Sequence, residues 1–486
     1  MKIRFGFEKK ALDAGSNLKI KMDFNIRIKI SILLFLSGIC FGSLRSKINA
    51  VINDSSQSKV VYGVEIVDAK NGSVVYSHKE DEPLIPASNM KIFTSATALK
   101  VLGADYKFRT EVYFVDNDIV IKGSGDPLLG DQATLKKNGK TFGWEFRNII
   151  EALKQKQITA VDNIIVDSSV FDDQLVNPSW PANELNRDYS AEVSGINYNG
   201  NCVDIVAFPS GGRVAFTKMP DTKYITVNNR ASVTSARKNT TWMSRLPESN
   251  SMTLYGKCHN RTAPFQVTIH RPAVYFGYIL AENLIESGLE FNGSIIERRE
   301  DIEGDPIKLT EFVSPLSEVM TRCNKDSFNL AAECLAKKIS AAKTIGNIGG
   351  QWKHAGEVIE QHMQGGRIDT SGFVFDDGCG LSRKNKVTAE MISKLLLDVY
   401  QSDDKQFFID TLAVGGVEGS SPVSRYFKDP VCKAKIFAKS GTISGVKALS
   451  GYCYTKNGVY IFSIITNNAN WKTRSAINNI VEAVFD

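Results

Sequence analysis

The 486-residue sequence predicts an α+β fold: helices packed on an antiparallel sheet whose strands come from both ends of the chain, with a mostly β insertion between them. Three observations carry this reading. Near the start, β-rich runs at 60–67 and 73–77 meet around Lys70-Asn71-Gly72, a hairpin signal. Near the end, runs at 446–454 and 459–466 pair around Lys456-Asn457-Gly458 and precede a helix over about 472–484. Between them, from about 107 to 275, short strand-like runs alternate with Gly, Asn and Pro, and Gly123-Ser124-Gly125-Asp126-Pro127 is the clearest turn cluster. With 43% hydrophobic residues the chain can bury a large core and divide into two or three domains.

The elements follow in order. Residues 1–50 hold ten Lys/Arg against three Asp/Glu, so the formal net charge of +6 resides in this head and the remainder is near neutral. A near-neutral body removes the electrostatic ground for nucleic-acid binding. The apolar run at 30–41 is about a dozen residues, too short to span a bilayer comfortably, and Gly42 and Ser43 follow it. Residues 1–43 therefore read as a signal peptide of an exported protein of the periplasm or cell envelope, with at most peripheral membrane association. Met22 opens a more ordinary leader, which makes 1–21 an extension the export signal does not need. Two other readings compete: lipidation at Cys40, against which Ile39 stands where a small residue is wanted, and an uncleaved anchor.

Pro86 starts a segment in which Ile92, Phe93, Ala96, Ala98, Leu99, Val101 and Leu102 are apolar nearly all round, the pattern of a buried helix. Helical patterns return at 273–287, 317–340 and 388–401, and a strand at 434–438 runs into a turn at Lys439-Ser440-Gly441-Thr442. Seven cysteines follow the leader, widely scattered and without a CxxC; they read as small buried apolar residues, with a Cys202–Cys258 bridge as the alternative. The five histidines show no metal-ligand spacing, so neither metal nor cofactor is expected.

Three short motifs carry chemistry. Ser-x-x-Lys spacing recurs along the chain, for example at Ser56/Lys59 and Ser340/Lys343, but only Ser88 follows a proline at the opening of a buried helix, with Lys91 one turn on along the same face. First-turn amides face such a serine oxygen, and a lysine held there is partly desolvated beside other cations, which lowers its pKa and lets the neutral amine act as a base. Read alone, the pair also fits an N-cap serine with a solvated lysine. Ser327-Phe328-Asn329 adds a hydroxyl and an amide; the bland account is a cap on the helix holding Leu330 and Leu335. Lys439-Ser440-Gly441-Thr442 ends a strand with a glycine where substrate backbone must approach closely, as strand-addition recognition of a peptide requires. Together they supply the parts of an acyl-transfer site that uses neither histidine nor metal.

These motifs, in this order and at these separations, resemble the penicillin-binding proteins, and most closely the class C low-molecular-mass group of D-alanyl-D-alanine carboxypeptidases and endopeptidases. Two further stretches agree: Gly123 to Leu128, similar to the group's GxGDPxL turn, and Asp377-Gly378-Cys379-Gly380-Leu381-Ser382-Arg383-Lys384-Asn385, similar to a signature segment. The resemblance implies a penicillin-binding, serine β-lactamase-like transpeptidase domain at 52–104 and 305–486. It also implies two mostly β inserted domains, one at 105–199 and 264–304 and the other at 200–263. It implies Ser88 as nucleophile, Lys91 as its base, Ser327 as proton relay, Asn329 as a substrate and Lys91 anchor, and Lys439 as a source of positive potential. Ser440, Gly441 and Thr442 would receive the substrate's terminal carboxylate and backbone, and the amides of Ser88 and Thr442 would form an oxyanion hole. The partners it implies are peptidoglycan stem peptides, with β-lactams as covalent inhibitors. Trp180, Glu184 and Tyr189 resemble the stretch that receives the amino end of a diaminopimelate side chain, with Arg383 near its carboxylate; the usual aspartate is here Glu184. Two other functions compete. A class A β-lactamase shares the motifs, but Ala182 stands where its deacylating glutamate belongs and the chain is far too long. A non-catalytic peptidoglycan-binding or penicillin-sensing module would share the fold without the chemistry.

Overall fold

The computed structural model describes residues 44–298, 304–344, 346, 349–417, 419 and 421–485, so the leader expected at 1–43 lies outside the described residues. No helix among them is long and apolar enough to cross a membrane.

The chain ends meet in one antiparallel sheet. Strands β1 (Val61–Asp68), β2 (Val74–His78), β3 (Ala413–Val414), β4 (Ile436–Ile443), β5 (Val446–Thr455) and β6 (Gly458–Asn467) lie side by side in the order β3-β4-β5-β6-β1-β2. The hairpin expected around Lys456-Asn457-Gly458 is present and closes with Thr455 opposite Gly458. β1 is buried along six consecutive residues because both faces of the sheet are covered. On one face Val64, Ile66, Phe462 and Ile464 pack against Ile48 and against Ile477 and Ile480 of the last helix; on the other, Ile461 and Ile465 meet the main helical layer. This is the expected α+β arrangement.

That layer contains α1 (Met90–Leu102), α2 (Leu316–Asn324), α3 (Asn329–Lys343), α4 (Trp352–Gly365) and α5 (Ala389–Gln401). α1 is its axis: every residue from Met90 to Leu99 is buried, as the all-round apolar pattern predicts. The single helix expected over 317–340 is two helices. Ser327 has φ of 60°, in the left-handed region that stops an α-helix, and the break leaves Asn329 as the first residue of α3. α4 lies in a stretch where the sequence reading placed no helix.

The insertion forms a five-stranded sheet in the order Ile295–Arg298, Ile164–Asp167, Asp118–Lys122, Lys107–Val115, Ile307–Pro315. Ile307–Pro315 pairs antiparallel with Lys107–Val115, which carries this sheet past the boundary expected at 304/305. In the smaller unit, Phe265–Thr268 pairs with Cys202–Ser210 and extends it past the boundary expected at 263. Both departures have one cause: the returning strand is recruited by pairing to a partner far away in sequence, which local composition does not register. A helix at Trp144–Gln155 also interrupts the strand-rich insertion. One apolar cluster, including Val112, Phe146, Tyr198, Val203, Met252 and Phe276, joins the two inserted units. All seven cysteines among the described residues are buried free thiols, so Cys202 and Cys258 do not bridge.

Candidate active site

Ser88 sits in a 3-10 turn, Ala87–Asn89, that runs directly into α1. Ala87 carries φ of 47°, a conformation that costs an L-residue energy and persists only where its surroundings impose it. The buried Asn89 side chain pins the turn to the sheet by donating to Ser450 Oγ at 2.7 Å. Lys91, fully buried one turn on, places Nζ 3.3 Å from Ser88 Oγ and donates to Asn329 Oδ1 at 2.7 Å and to the Cys379 carbonyl at 2.8 Å. The solvated lysine of the bland reading is thereby excluded. The Asn329 amide nitrogen donates to the Tyr189 carbonyl at 2.8 Å, linking the site to the insertion.

The third motif faces this turn from β4. Lys439 is buried, and its Nζ donates to Ser327 Oγ at 3.0 Å and to the Ser440 carbonyl at 2.8 Å. Burial first, then the neighbouring Lys91, holds the Lys439 amine well below its usual pKa. β3 pairs only with Phe437 and Ala438, so the edge of β4 from Lys439 to Ile443 has no strand neighbour among the described residues and is open to an added strand. Gly441 is required where β4 passes the nucleophile: a Cβ there would lie 2.8 Å from the Pro86 carbonyl oxygen and 3.0 Å from Ser88 N.

These groups open on one cavity of 510 Å³ whose wall includes Ser88, Ser327, Asn329, Thr442, Glu184, Tyr189 and Arg383. Lys91 and Lys439 are buried behind it. Glu184 lies beside the Tyr189 hydroxyl; burial and then this carboxylate raise the phenol pKa. The Arg383 guanidinium donates to the Ser444 carbonyl at 2.8 Å. Trp180, from the same stretch as Glu184, points the other way: it is buried and its indole N–H donates to Asp377 Oδ2 at 2.8 Å.

Residues 44–484 match the profile of the D-Ala-D-Ala carboxypeptidase 3 (S13) family. The chain belongs to this family. It is a serine-type D-Ala-D-Ala carboxypeptidase. The D-alanyl-D-alanine carboxypeptidase of Actinomadura sp. strain R39 is 30% identical over 92% of this chain and 85% of its own length. Among solved structures, penicillin binding protein 4 of Haemophilus influenzae superposes with a TM-score of 0.75 at 19% identity, covering 90% of this chain and 98% of that one. A predatory peptidoglycan endopeptidase of Bdellovibrio bacteriovorus gives a TM-score of 0.50 at 18% identity, covering 88% of this chain and 93% of that one.

In this S13 carboxypeptidase, sequence reasoning missed two groups at the site. Arg474, on the last helix, donates to Thr442 Oγ1 at 2.9 Å and to the Gly441 carbonyl at 3.1 Å, adding a cation behind the motif strand. Nothing local in the sequence marks it. Glu333, one turn after Asn329 on α3, is wholly buried beside Asp377. These two carboxylates and the Cys379 thiol place metal-ligating atoms within 4.8 Å of one another. The donor set does not suit an ion, because each carboxylate oxygen is committed to N–H groups. Cys379 N donates to Glu333 Oε1, and Trp352 Nε1 and Gly378 N donate to Oε2. Gly380 N and Asn385 Nδ2 donate to Asp377 Oδ1, and Trp180 Nε1 and Ser382 N donate to Oδ2. Burial, then the Asp377 charge, holds the Glu333 carboxyl above its usual pKa.

Proposed function

We propose that Ser88 is the nucleophile with which this S13 enzyme hydrolyses D-Ala-D-Ala ends and D-Ala-diaminopimelate cross-links of peptidoglycan. The observation that carries this reading is the placement of Lys91 Nζ 3.3 Å from Ser88 Oγ, with its other contacts made to Asn329 and Cys379, directly behind the Ser88 wall of a peptide-sized cavity. In the first half-reaction the Ser88 hydroxyl proton passes to the Lys91 amine as Oγ bonds to the carbonyl carbon of the penultimate D-Ala. The oxyanion of the tetrahedral intermediate is stabilised by the backbone N–H groups of Ser88 and Thr442. Collapse breaks the C–N bond as the proton that Lys91 received passes through the Ser327 hydroxyl, which Lys439 contacts on its far side, to the leaving amine, and Lys91 returns to its neutral form. Water then attacks the ester, Lys91 takes its proton, and Ser88 Oγ leaves with a proton returned to it. Ser440 and Thr442, backed by Arg474, hold the terminal carboxylate of the substrate; Glu184, Tyr189 and Arg383 receive the zwitterionic end of a diaminopimelate side chain.

A β-lactam enters as a mimic of the D-Ala-D-Ala end and leaves a persistent ester on Ser88. The leader expected at 1–43 and the extracytoplasmic nature of the substrate support action in the periplasm or cell envelope. Mapping the benzylpenicillin adduct by peptide mass tests the assignment: the adduct is expected on Ser88 and absent from Ser88→Ala, and an adduct on Ser56 or Ser340 overturns it. Digestion of purified peptidoglycan, with products resolved by mass, is expected to release both D-Ala and uncross-linked stem peptides. Release of D-Ala alone would remove the cross-link activity.

A further inference from the structure

Lys91 has two fixed acceptors besides Ser88, and both trace back to one helix. Asn329 Oδ1 lies 2.7 Å and the Cys379 carbonyl 2.8 Å from Nζ. A neutral primary amine has two N–H bonds and one lone pair in tetrahedral directions. When the two N–H bonds are taken by these acceptors, the lone pair is left for the hydroxyl of Ser88, which is the orientation a general base needs. Asn329 opens α3, and Glu333 follows at i+4 on the same face. The Glu333 carboxylate accepts from Cys379 N at 2.7 Å, from Gly378 N at 3.0 Å and from Trp352 Nε1 at 2.6 Å. The Gly378 carbonyl is tied from the other side by Thr94 Oγ1 of α1 at 2.8 Å. The turn is also wedged in place: a Cβ on Gly378 would lie 2.9 Å from the Ala332 carbonyl oxygen, and one on Gly380 only 1.8 Å from that of Ala87, next to the nucleophile.

We propose that Glu333 is a positioning residue for the general base: by holding the Gly378 and Cys379 amides it aims the Cys379 carbonyl at Lys91 and so turns the lone pair of the amine toward Ser88. The proposal rests on the reading of Ser88 and Lys91 as nucleophile and base. It goes beyond that reading in giving a buried carboxylate that touches neither substrate nor nucleophile control over proton abstraction. Glu333 Oε2 takes two N–H donors and Oε1 one, so no orientation of a glutamine amide can satisfy all three. In Glu333→Gln the Gly378–Cys379 segment must shift.

The test separates binding from chemistry during benzylpenicillin acylation of the full-length enzyme. Glu333→Gln is expected to lower the acylation rate constant between about tenfold and a hundredfold, the range a misplaced reacting group produces, while the Kd of the pre-covalent complex changes less than about threefold. Trp352→Phe removes only one donor to the same carboxylate and is expected to lower the rate constant by a smaller factor with the same unchanged Kd. A structural clamp alone would lower Tm and leave the rate constant of the folded fraction intact. A folded Glu333→Gln enzyme that acylates within twofold of wild type overturns the proposal, as does a loss shared equally between Kd and rate constant. If Glu333→Gln does not fold, Trp352→Phe decides by the same criterion. Failure of the underlying reading is distinguishable, because it would show in the wild-type protein as an adduct away from Ser88.

Discussion

Lys439 Nζ donates to Ser327 Oγ across 3.0 Å, joining residues 112 positions apart at the edge of the cavity. The left-handed backbone at Ser327, with φ of 60°, breaks the α2–α3 segment where its hydroxyl meets that amine. By donating to Ser327 Oγ, a buried amine whose pKa is held well below its usual value leaves the Ser327 hydroxyl proton free to pass to a leaving group.

Burial of Lys439 has a measurable cost. The folded enzyme binds fewer protons at this residue than the unfolded chain does between the depressed folded pKa and the ordinary value of 10.5, so its contribution to stability falls as pH drops through that window. Lys439→Met keeps the length and loses the titration. The Tm of the variant relative to wild type should become more favourable as pH falls from 10.5 toward neutral, while β-lactam acylation falls at least about a hundredfold. A Tm difference that does not change with pH would show that Lys439 is not held against protonation.

Gly441→Ala would put a methyl group against the Pro86 carbonyl oxygen and Ser88 N, moving β4 away from the nucleophile turn. Acylation by benzylpenicillin should fall by about tenfold or more, with Tm lowered by a few degrees at most, since the strand edge at this point is open. Stopped-flow acylation at wild-type speed would mean that the turn can yield without cost.

Asp126, in the turn of the inserted sheet, is buried, accepts from Ser314 Oγ at 2.6 Å and Leu128 N at 2.8 Å, and has its carboxyl pushed up to about 7, by burial above all. Its folded pKa exceeds the unfolded 3.8, so its stabilising contribution is complete below 3.8 and is lost as pH rises through 7. Asp126→Asn can retain both contacts without titrating. Urea unfolding should show the variant gaining on wild type by on the order of 3 kcal/mol between pH 4 and pH 8. A constant difference across that range would place the proton elsewhere.

Glu184 and Arg383 share the cavity wall with Ser88 without contacting it, so they should matter to a natural side chain more than to a small inhibitor. A charge removed from a site that leaves its partner unpaired costs about 2 kcal/mol or more. Glu184→Gln and Arg383→Ala are each expected to lower kcat/KM on a diaminopimelate-containing peptide by roughly thirtyfold, with benzylpenicillin acylation changed less than about threefold. Equal losses on both would assign these residues to the catalytic geometry, and no loss on either would remove them from recognition.

The sequence by itself determined the class of chemistry and most of the α+β frame. Ser88 and Lys91 are one helical turn apart and Lys456-Asn457-Gly458 is a turn signal; each is a relation within about twenty residues, where local backbone geometry dictates which side chains share a face. Lys439 to Thr442, expected as a turn after a strand at 434–438, instead lie within β4, because pairing with Lys447–Ser450 carries the strand through the motif glycine. What only the tertiary structure decided are contacts whose partners are far apart in the chain. Asn329 reaches Lys91 from 238 positions away, Ile307–Pro315 joins the inserted sheet by pairing with Lys107–Val115, and Trp180 turns inward to Asp377 while Glu184 faces the cavity. Glu333 and Arg474 belong to the same group. An isolated acidic or basic residue on a helix reads as a solvated face until packing removes the water around it, and only then must its charge be met by the N–H and carbonyl groups that define the site.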